Sequence, residues 1–302
     1  MIFYNNKYKF FFKYITKNKI IIILCLIIFL IIYIKQNHQF RVLVYSCCDE
    51  FYSHYIPIFC NTLLRSDKLR KIDIEIGVNI NKLSTNEEKA LEYLRKQYPQ
   101  SKIKIDYNIF IKNNSGTFYK NYKIWSNSVR FIVQPYIKNK YVYITDIDIL
   151  IFINNFYLEL IDDLKRRKTK YSNIIRMNSQ KLTGLHFIEY DSYYPIDSLD
   201  YLNNTNINDE ILLYNIMKNK KIKLDNVTQY RPVFGIHLSP NRKYVSSYGP
   251  IVGWGADNYK FQWIEYIKSR DFKYIYPLLD QTIKDKIKKL NEFYAINKMN
   301  VN

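Results

Sequence analysis

The chain has few of the residues that mark disulfide-rich or zinc-binding proteins. Its 302 residues include only 4 cysteines, and Cys25 lies in an apolar run. So few cysteines cannot build a disulfide framework. Cys47 and Cys48 are adjacent rather than spaced as Cys-x-x-Cys, which argues against a structural zinc site. The sequence leaves open whether either of them pairs with Cys60.

A concentrated block of basic residues is also missing, although the net charge is +19. The lysines are scattered among isoleucine, asparagine and tyrosine, and none of the usual nucleic-acid-binding motifs accompanies them. We therefore expect no nucleic-acid partner. The 30 tyrosines against 7 glycines indicate an AT-rich coding genome as much as selection for a partner. The positive charge remains suited to attracting anionic substrates.

One long apolar run stands near the N-terminus, at residues 20–34, between Lys19 and Lys35. As a helix it would be about 22 Å long, shorter than a hydrocarbon core of ~30 Å, but flanking lysines can reach the headgroups. No small-residue cleavage site follows, so a transmembrane anchor is favoured over a cleaved signal peptide. The lysine excess before the run predicts a cytosolic tail at 1–19 and a domain across the membrane.

After Arg41, strand-like runs alternate with helical patterns, and neither an internal repeat nor a linker interrupts them. This alternation predicts βαβ units in an α/β domain with a mostly parallel sheet, whose ligands bind at the carboxyl ends of the strands. We predict one such domain over 41–280 and a helical tail over 281–302. The predicted strands are 41–46, 72–78, 102–107 and 141–152, and the predicted helices are 55–65, 86–98 and 123–137.

The apolar segment 141–152 carries two carboxylates, Asp146 and Asp148. In a strand they would point to the same side, near its C-terminal end, with Ile147 on the other side. Such a pair suits Mn²⁺ or Mg²⁺ and leaves coordination positions open for phosphate oxygens. This is what an enzyme acting on a nucleoside diphosphate needs. The alternative is a turn in which the aspartates cap backbone N–H groups.

Further segments follow in an order that, with this pair, resembles a GT-A glycosyltransferase of the family 8 type over most of residues 41–245. Asp49 and Tyr52 follow the first strand, where the family holds the nucleotide base. Arg130 matches an arginine near the sugar nucleotide. Residues 182–187 match a small-residue turn beside the donor sugar, with Thr183 in place of the usual asparagine. Locally, a helix-capping Asp49 and an exposed helix arginine remain alternatives.

Two later segments carry the rest of the resemblance. Asp209 and Glu210 match the polar pair at a helix start that meets the transferred sugar, with Glu210 in place of glutamine. Carboxylates also suit a helix N-terminus electrostatically, so capping is the alternative there. His237 matches the third metal ligand, and Lys243 matches a lysine that holds the diphosphate. Pro240 stands where the family has glycine.

The resemblance implies a GT-A fold and sugar transfer from a nucleotide sugar, of the uridine diphosphate type, to a glycan, protein or lipid acceptor. Mn²⁺ or Mg²⁺ would be held by Asp146, Asp148 and His237, with Asp146 shared with the ribose. Retention at the anomeric carbon is implied, although Glu210 as a general base leaves an inverting route open. Two rival functions remain: a metal-dependent phosphotransferase or nuclease, and a non-catalytic membrane-anchored binding protein.

The predicted topology constrains the compartment. The charge bias places the domain outside the cytosol, while nucleotide sugars are made inside, and a Golgi or ER lumen imports them. For a eukaryotic or viral protein we therefore expect a single-pass chain with a lumenal domain. Asn113, Asn203 and Asn226 each begin an Asn-x-Ser/Thr triplet, which makes them candidate glycosylation sites in such a compartment.

Overall fold

A computed structural model of the protein describes most of the chain between residues 40 and 295. Val42–Asn302 forms one compact unit, and Met1–Arg41 forms another. The predicted anchor, its cytosolic tail, Lys243, Asn203 and Asn226 lie outside the described residues. None of the described helices is long and apolar enough to cross a bilayer. The described ranges are 40–109, 111–113, 116–119, 122–123, 126–173, 175–176, 180–196, 208–224, 234–238 and 255–295.

Strands and helices alternate from Val42 to Tyr107, after which three short strands follow directly. The strands are β1 Val42–Cys48, β2 Ile72–Val78, β3 Ile103–Tyr107, β4 Ile111–Asn113, β5 Gly116–Tyr119, β6 Tyr122–Lys123, β7 Tyr141–Ile144, β8 Ile149–Ile151, β9 Tyr171–Ser172, β10 Ile175–Arg176, β11 Lys181–Leu182, β12 His186–Glu189 and β13 Gly235–His237. The α-helices are α1 Glu50–Ser53, α2 Ile56–Ser66, α3 Thr85–Gln97, α4 Tyr157–Arg167, α5 Tyr190–Tyr193, α6 Asp209–Asn219, α7 Lys260–Ile267, α8 Arg270–Ile275 and α9 Gln281–Phe293. Short 3₁₀ helices lie at Ser126–Phe131, Ala256–Asn258 and Tyr276–Leu278.

A six-stranded sheet in the order β3-β2-β1-β7-β12-β9 forms the centre of the domain. β3, β2, β1 and β7 run parallel, and β12 is antiparallel to both of its neighbours. The predicted α/β class with a mostly parallel sheet is confirmed. Every residue of β1 and β2 is buried, as expected for parallel strands covered on both faces. The carboxyl ends of the four parallel strands meet at one edge, which we call the carboxyl edge.

Local sequence signals account for the helices beside these strands. α2 has Pro57 in its first turn, where a missing backbone N–H costs nothing. α3 starts with a capping box, because Ser84 accepts from the backbone N–H of Glu87 and the Glu87 carboxylate accepts from that of Ser84. At the C-terminus, α9 buries Ile283, Ile287 and Leu290 along one side. The boundary between domain and tail at residue 281 remains a prediction.

The predicted helix at 123–137 is wrong. The structure has β6, the short 3₁₀ helix Ser126–Phe131, and then irregular backbone up to β7. Pro135 disfavours helical backbone at the residue before it. The N–H groups of Tyr136 and Ile137 instead donate to the buried carboxylate of Glu75, each at 2.7 Å. A long-range partner therefore takes the hydrogen bonds that a helix would have used.

The predicted single strand at 141–152 is also wrong. β7 ends at Ile144, residues 147–148 form a turn, and β8 begins at Ile149. The two strands belong to different sheets, since β7 pairs with β1 and β12 whereas β8 pairs with β13. The two aspartates therefore lie in a connection, and strand alternation is not what aligns them. The alternative prediction, a turn that contains the two aspartates, is therefore correct for the backbone at residues 147–148.

The three described cysteines are buried free thiols. Burial raises the pKa of Cys47 and of Cys60 to about 12, so these thiols stay protonated and pack as apolar side chains.

Candidate active site

Asp146, Asp148 and His237 converge at the carboxyl edge. Each offers one ligand atom, and these atoms all lie within 4.8 Å of one another. Asp148 Oδ1 lies 3.0 Å from His237 Nε2. Asp148 and His237 are buried, whereas the Asp146 side chain is 33% exposed. The cluster therefore has one open side, on which a ligand can reach it.

Backbone pairing brings His237 to the aspartates. β13 runs antiparallel to β8, with His237 opposite Ile149, and the N–H of Leu238 donates to the carbonyl of Asp148 at 2.8 Å. This pairing needs glycine at 235, because a Cβ there would lie 1.7 Å from the backbone oxygen of Leu150. Gly235 thus permits the strand contact that places the imidazole.

Arg130 links the cluster of Asp146, Asp148 and His237 to the start of α6. Its Nη2 lies 2.7 Å from Asp146 Oδ1 and 3.3 Å from Asp209 Oδ2, and its side chain is only 3% exposed. Asn127 also donates to Asp209, at 3.2 Å. A Cβ at Gly184 would lie 2.7 Å from Arg130 Nη2, so the missing side chain leaves room for the guanidinium. Arg130 lies on the 3₁₀ helix rather than on the predicted long helix.

Asn173, which sequence reasoning missed, holds the turn that contains Gly184. Its Oδ1 accepts from the N–H and the hydroxyl of Thr183, and its Nδ2 donates to the Thr183 carbonyl, each at 2.9 Å. Its amide also lies 3.1 Å from Nδ1 of His186. Burial lowers the pKa of His186 to about 3, so that imidazole stays neutral. No local sequence signal indicates these contacts.

Asp49 and Tyr52 lie where β1 ends, as predicted. Asp49 Oδ1 accepts from the N–H of Tyr52 at 3.3 Å, which is the capping arrangement. The Tyr52 ring stacks on that of Tyr55, with centroids 5.8 Å apart. The Tyr55 hydroxyl in turn donates to the carbonyl of Leu238 at 2.7 Å, which joins this segment to the strand that carries His237.

At the start of α6, capping and electrostatic contact occur together. Asn208 is the N-cap residue, and its Oδ1 accepts from the N–H of Glu210 at 2.9 Å. Asp209 lies in the first turn and contacts Arg130, which also contacts Asp146. The guanidinium therefore connects Asp209 to the cluster of Asp146, Asp148 and His237. The functional roles predicted for Asp209 and Glu210 stay predictions.

Lys286, on α9, is a second residue that sequence reasoning missed. It is half-buried, and burial lowers its pKa; the charge of Lys289 lowers the pKa further, and the charge of Asp148 raises it. The charge of Asp148 therefore acts on the Lys286 ammonium. Helical spacing places Lys286 beside the buried Ile283 and Ile287, but nothing in the sequence indicates what that side of the helix faces.

The donor set of the cluster fits one divalent cation. Carboxylate oxygens are the ligands that Mg²⁺ and Mn²⁺ prefer, and imidazole is common among transition-metal ligands, which favours Mn²⁺ of the two. Arg130 already neutralises part of the charge on Asp146, so a bound cation would leave the cluster near neutral or positive. That charge suits a phosphate-bearing ligand.

No protein-family model and no curated protein matches the chain. Among solved structures it shares features with the mannosyltransferase PcManGT from Pyrobaculum calidifontis, in complex with GDP-Man and Mn²⁺, at a TM-score of 0.41 and 11% identity over 87% of this chain and 78% of that one. The galactosyltransferase LgtC, in complex with donor and acceptor sugar analogues, gives a TM-score of 0.39 and 14% identity, over 57% of this chain and 69% of that one. The glycosyltransferase GlyE of Streptococcus pneumoniae gives a TM-score of 0.41 and 13% identity, over 85% of this chain and 64% of that one. Similarity at this level establishes no family membership.

Proposed function

We propose that the protein is a metal-dependent glycosyltransferase that moves a sugar from a nucleotide sugar, of the uridine diphosphate type, to a glycan, protein or lipid acceptor. The observation that carries this proposal is the convergence of Asp146, Asp148 and His237 at the carboxyl edge. Parallel α/β sheets bind their ligands at this edge. The resemblance of the ordered sequence motifs to family 8 glycosyltransferases adds the sugar-transfer chemistry.

In this proposal the three side chains hold Mn²⁺ or Mg²⁺. The ion, when bound, supplies positive charge against the charge that develops on the departing diphosphate. Arg130 holds Asp146 in one orientation through the 2.7 Å contact. The exposed part of the Asp146 carboxylate accepts from a ribose hydroxyl, and Asp49 with Tyr52 binds the base. Lys243 and Lys286 add cationic charge on the diphosphate side.

The start of α6 is proposed to meet the reacting face of the sugar. Arg130 and Asn127 both contact Asp209, so its carboxylate is held in place rather than free to rotate. There it can stabilise positive charge that grows on the anomeric carbon. The resemblance favours retention of configuration. A general-base role for Glu210 would instead give inversion, and the configuration of the product distinguishes the two.

We also propose the membrane topology that the sequence predicts: a cytosolic tail at 1–19, an anchor at 20–34 and a domain in the Golgi or ER lumen. The lysine excess before the apolar run supports it. Protease protection in sealed microsomes, combined with a glycosidase mobility shift, tests this topology. Digestion of the domain from the cytosolic side would reverse the orientation and leave the chemistry unaffected.

The test of the activity is a screen of nucleotide sugars against the full chain, with and without Mn²⁺. Thermal stabilisation reports binding, because a ligand that binds only the folded state raises Tm. Mass spectrometry of products reports sugar transfer or donor hydrolysis. We expect both signals for one donor and only with a divalent ion. Cleavage of phosphate esters without sugar transfer would indicate a phosphotransferase or nuclease. No effect of metal or nucleotide on Tm would indicate a non-catalytic binding protein.

A further inference from the structure

The edge of the central sheet opposite the candidate active site carries a row of lysines. One lysine stands directly before the first residue of each of β2, β3, β7 and β9, and two more lie within three residues of β7 and β9. β9 is antiparallel to β12, which is antiparallel to β7, so all four of these strand starts lie at the same edge. We call this set the lysine rim: Lys71, Lys102, Lys138, Lys140, Lys168 and Lys170. All but Lys71 are exposed.

The general abundance of lysine does not account for the rim, because the other ends of the strands differ. β1, β2, β3 and β7 are followed within two residues by Asp49, Asn79, Asn108 and Asp146. The sheet therefore has amide and carboxylate side chains at its carboxyl edge and cationic side chains at its amino edge. This asymmetry gives the domain a positive end.

Acidic residues near the rim form few ion pairs with it. Glu189, the last residue of β12, also lies at this edge, and its carboxylate accepts from the Ser192 hydroxyl at 3.3 Å. Asp67 and Asp73 are buried, and their oxygens accept from the N–H groups of Ile72 and Lys102. Within the described part of the chain, the rim makes one ion pair, between Lys138 and Asp191 at 2.9 Å. Both partners are largely exposed, so water and salt screen that pair strongly.

We propose that the lysine rim docks onto the phosphate headgroups of an anionic phospholipid bilayer, whichever side of the membrane the domain occupies. Charge complementarity supports this partner, because exposed lysines on one edge suit a flat surface of negative charge. The strand order places the rim along five strand spacings, or about 24 Å at ~4.8 Å each. Docking would leave the carboxyl edge facing away from the lipid.

The test measures lysine reactivity in the full chain. The protein is acetylated in the presence of phosphatidylcholine vesicles, with or without phosphatidylserine, and each lysine is quantified by mass spectrometry. Rim lysines should react about fivefold more slowly with the anionic vesicles, as expected for favourable placement of each lysine near such a surface. High salt should remove this protection. Lys89, Lys260 and Lys288, which are exposed elsewhere, should react equally with both vesicles.

Two matched variants separate the rim from total charge. Lys102→Gln/Lys140→Gln/Lys170→Gln should abolish the lipid-dependent protection of the remaining rim lysines. Lys89→Gln/Lys260→Gln/Lys288→Gln removes the same charge and should preserve that protection, and Tm checks that both variants fold. Equal protection by neutral vesicles, equal loss in both variants, or equal protection by duplex DNA at the same phosphate concentration would overturn the proposal. No sugar transfer is measured, so the result is independent of the proposed activity.

Discussion

The two edges of the central sheet use carboxylates in opposite ways. At the amino edge, Asp67 and Asp73 are buried and accept from backbone N–H, hydroxyl and amide groups, which satisfies them within the fold. At the carboxyl edge, Asp146 and Asp148 face a guanidinium, an imidazole and each other. A carboxylate satisfied by hydrogen bonds within the fold stabilises it, whereas carboxylates gathered beside an imidazole and open to solvent on one side are available to a cation.

The exposed charges follow the same division. Lysines stand before β2, β3 and β7, and aspartates or asparagines follow all four parallel strands. Cations therefore lie where the sheet faces away from the candidate site, while Arg130 at the carboxyl edge is buried against Asp146 and Asp209. If the comparison is right, substitutions of the carboxylates at the carboxyl edge should change metal and donor binding, whereas substitutions of the buried aspartates at the amino edge should change stability without changing either.

The largest expected effect is that of Asp148→Ala at the carboxyl edge. Losing metal-based charge stabilisation worth several kcal/mol should lower kcat/KM roughly a thousandfold. The domain should stay folded, because the change removes a buried charge together with its volume. The measurement is sugar transfer across a Mn²⁺ titration, with circular dichroism as the folding check.

Asp73→Asn at the amino edge is the matched control for that change. It weakens two hydrogen bonds, to the Lys102 N–H and the Asn139 amide, so unfolding should become easier by about 1–3 kcal/mol. Metal-dependent turnover should be unaffected at temperatures where the variant is folded. Substantial Mn²⁺-dependent activity in Asp148→Ala, or a loss of metal dependence in Asp73→Asn, would contradict the division between the edges.

Gly235→Ala should have the next largest effect. The new Cβ would meet the Leu150 carbonyl oxygen, so β13 must move away from β8 and carry His237 with it. Displacing one ligand in this way should weaken Mn²⁺ binding about 10- to 100-fold. Gly77→Ala on β2 is the control, because its Cβ would meet the end of the flexible Ile109 side chain. The metal affinities of the two variants are compared through the shift in Tm that Mn²⁺ induces in each. Equal affinities would show that the pairing of β13 with β8 does not position His237.

Local patterns predicted most of the fold. The strand at 72–78 and the helix at 86–98 match β2 and α3 closely, because apolar alternation and helical spacing are complete within each segment. The prediction failed at 123–137, where the distant Glu75 takes the backbone N–H groups. It failed again at 141–152, where one apolar run serves two sheets with different partners.

The site was predictable only where a motif was recognisable. The resemblance named Asp146, Asp148 and His237 together, and the structure brings their ligand atoms together. It also named Arg130 and Asp209, which are in contact. Asn173 was missed because no motif signals its hydrogen bonds to the nearby Thr183. Lys286 was missed because the charge that acts on it, that of Asp148, belongs to a distant part of the chain.

Glu75, on β2 between the two edges, should make stability depend on pH. Burial, followed by a hydrogen bond with Asp106, raises its pKa to about 7, although the N–H groups of Tyr136 and Ile137 oppose this. A folded-state pKa above the unfolded value means that this contribution to stability is full below pH ~4.5 and is lost as pH rises through ~7.

Denaturant unfolding at several pH values measures this effect. The contribution of Glu75 should fall by about 2–3 kcal/mol between pH 4.5 and pH 7.5, from the size of the pKa shift. Glu75→Gln should remove that part of the pH dependence, because a neutral amide does not titrate. Asp106→Asn should reduce the pH dependence by a smaller amount than Glu75→Gln does. An unchanged pH profile in Glu75→Gln would show that this carboxylate titrates normally in the fold.

The smallest predicted effect concerns Lys286, and it tests whether α9 belongs to the carboxyl-edge site. Lys286→Gln should raise the donor KM by about three- to tenfold, the effect of a partly exposed cation on an anionic ligand, with little change in kcat. Without nucleotide, the same change should tighten Mn²⁺ binding slightly, because a positive charge near Asp148 repels the metal.

These opposite shifts distinguish an electrostatic role from a structural one, since a damaged helix would weaken both ligands. Lys289→Gln is the matched control: it removes a neighbouring lysine from the same helix, and Lys289, unlike Lys286, is exposed. It should leave donor KM and metal affinity nearly unchanged. Donor KM from initial rates and Mn²⁺ affinity from thermal shift give the two readouts. Lys286 is not part of the site if both variants behave alike, or if Lys286→Gln weakens metal and donor binding together. The candidate site would then be limited to Asp146, Asp148, His237 and Arg130 with the residues that contact them.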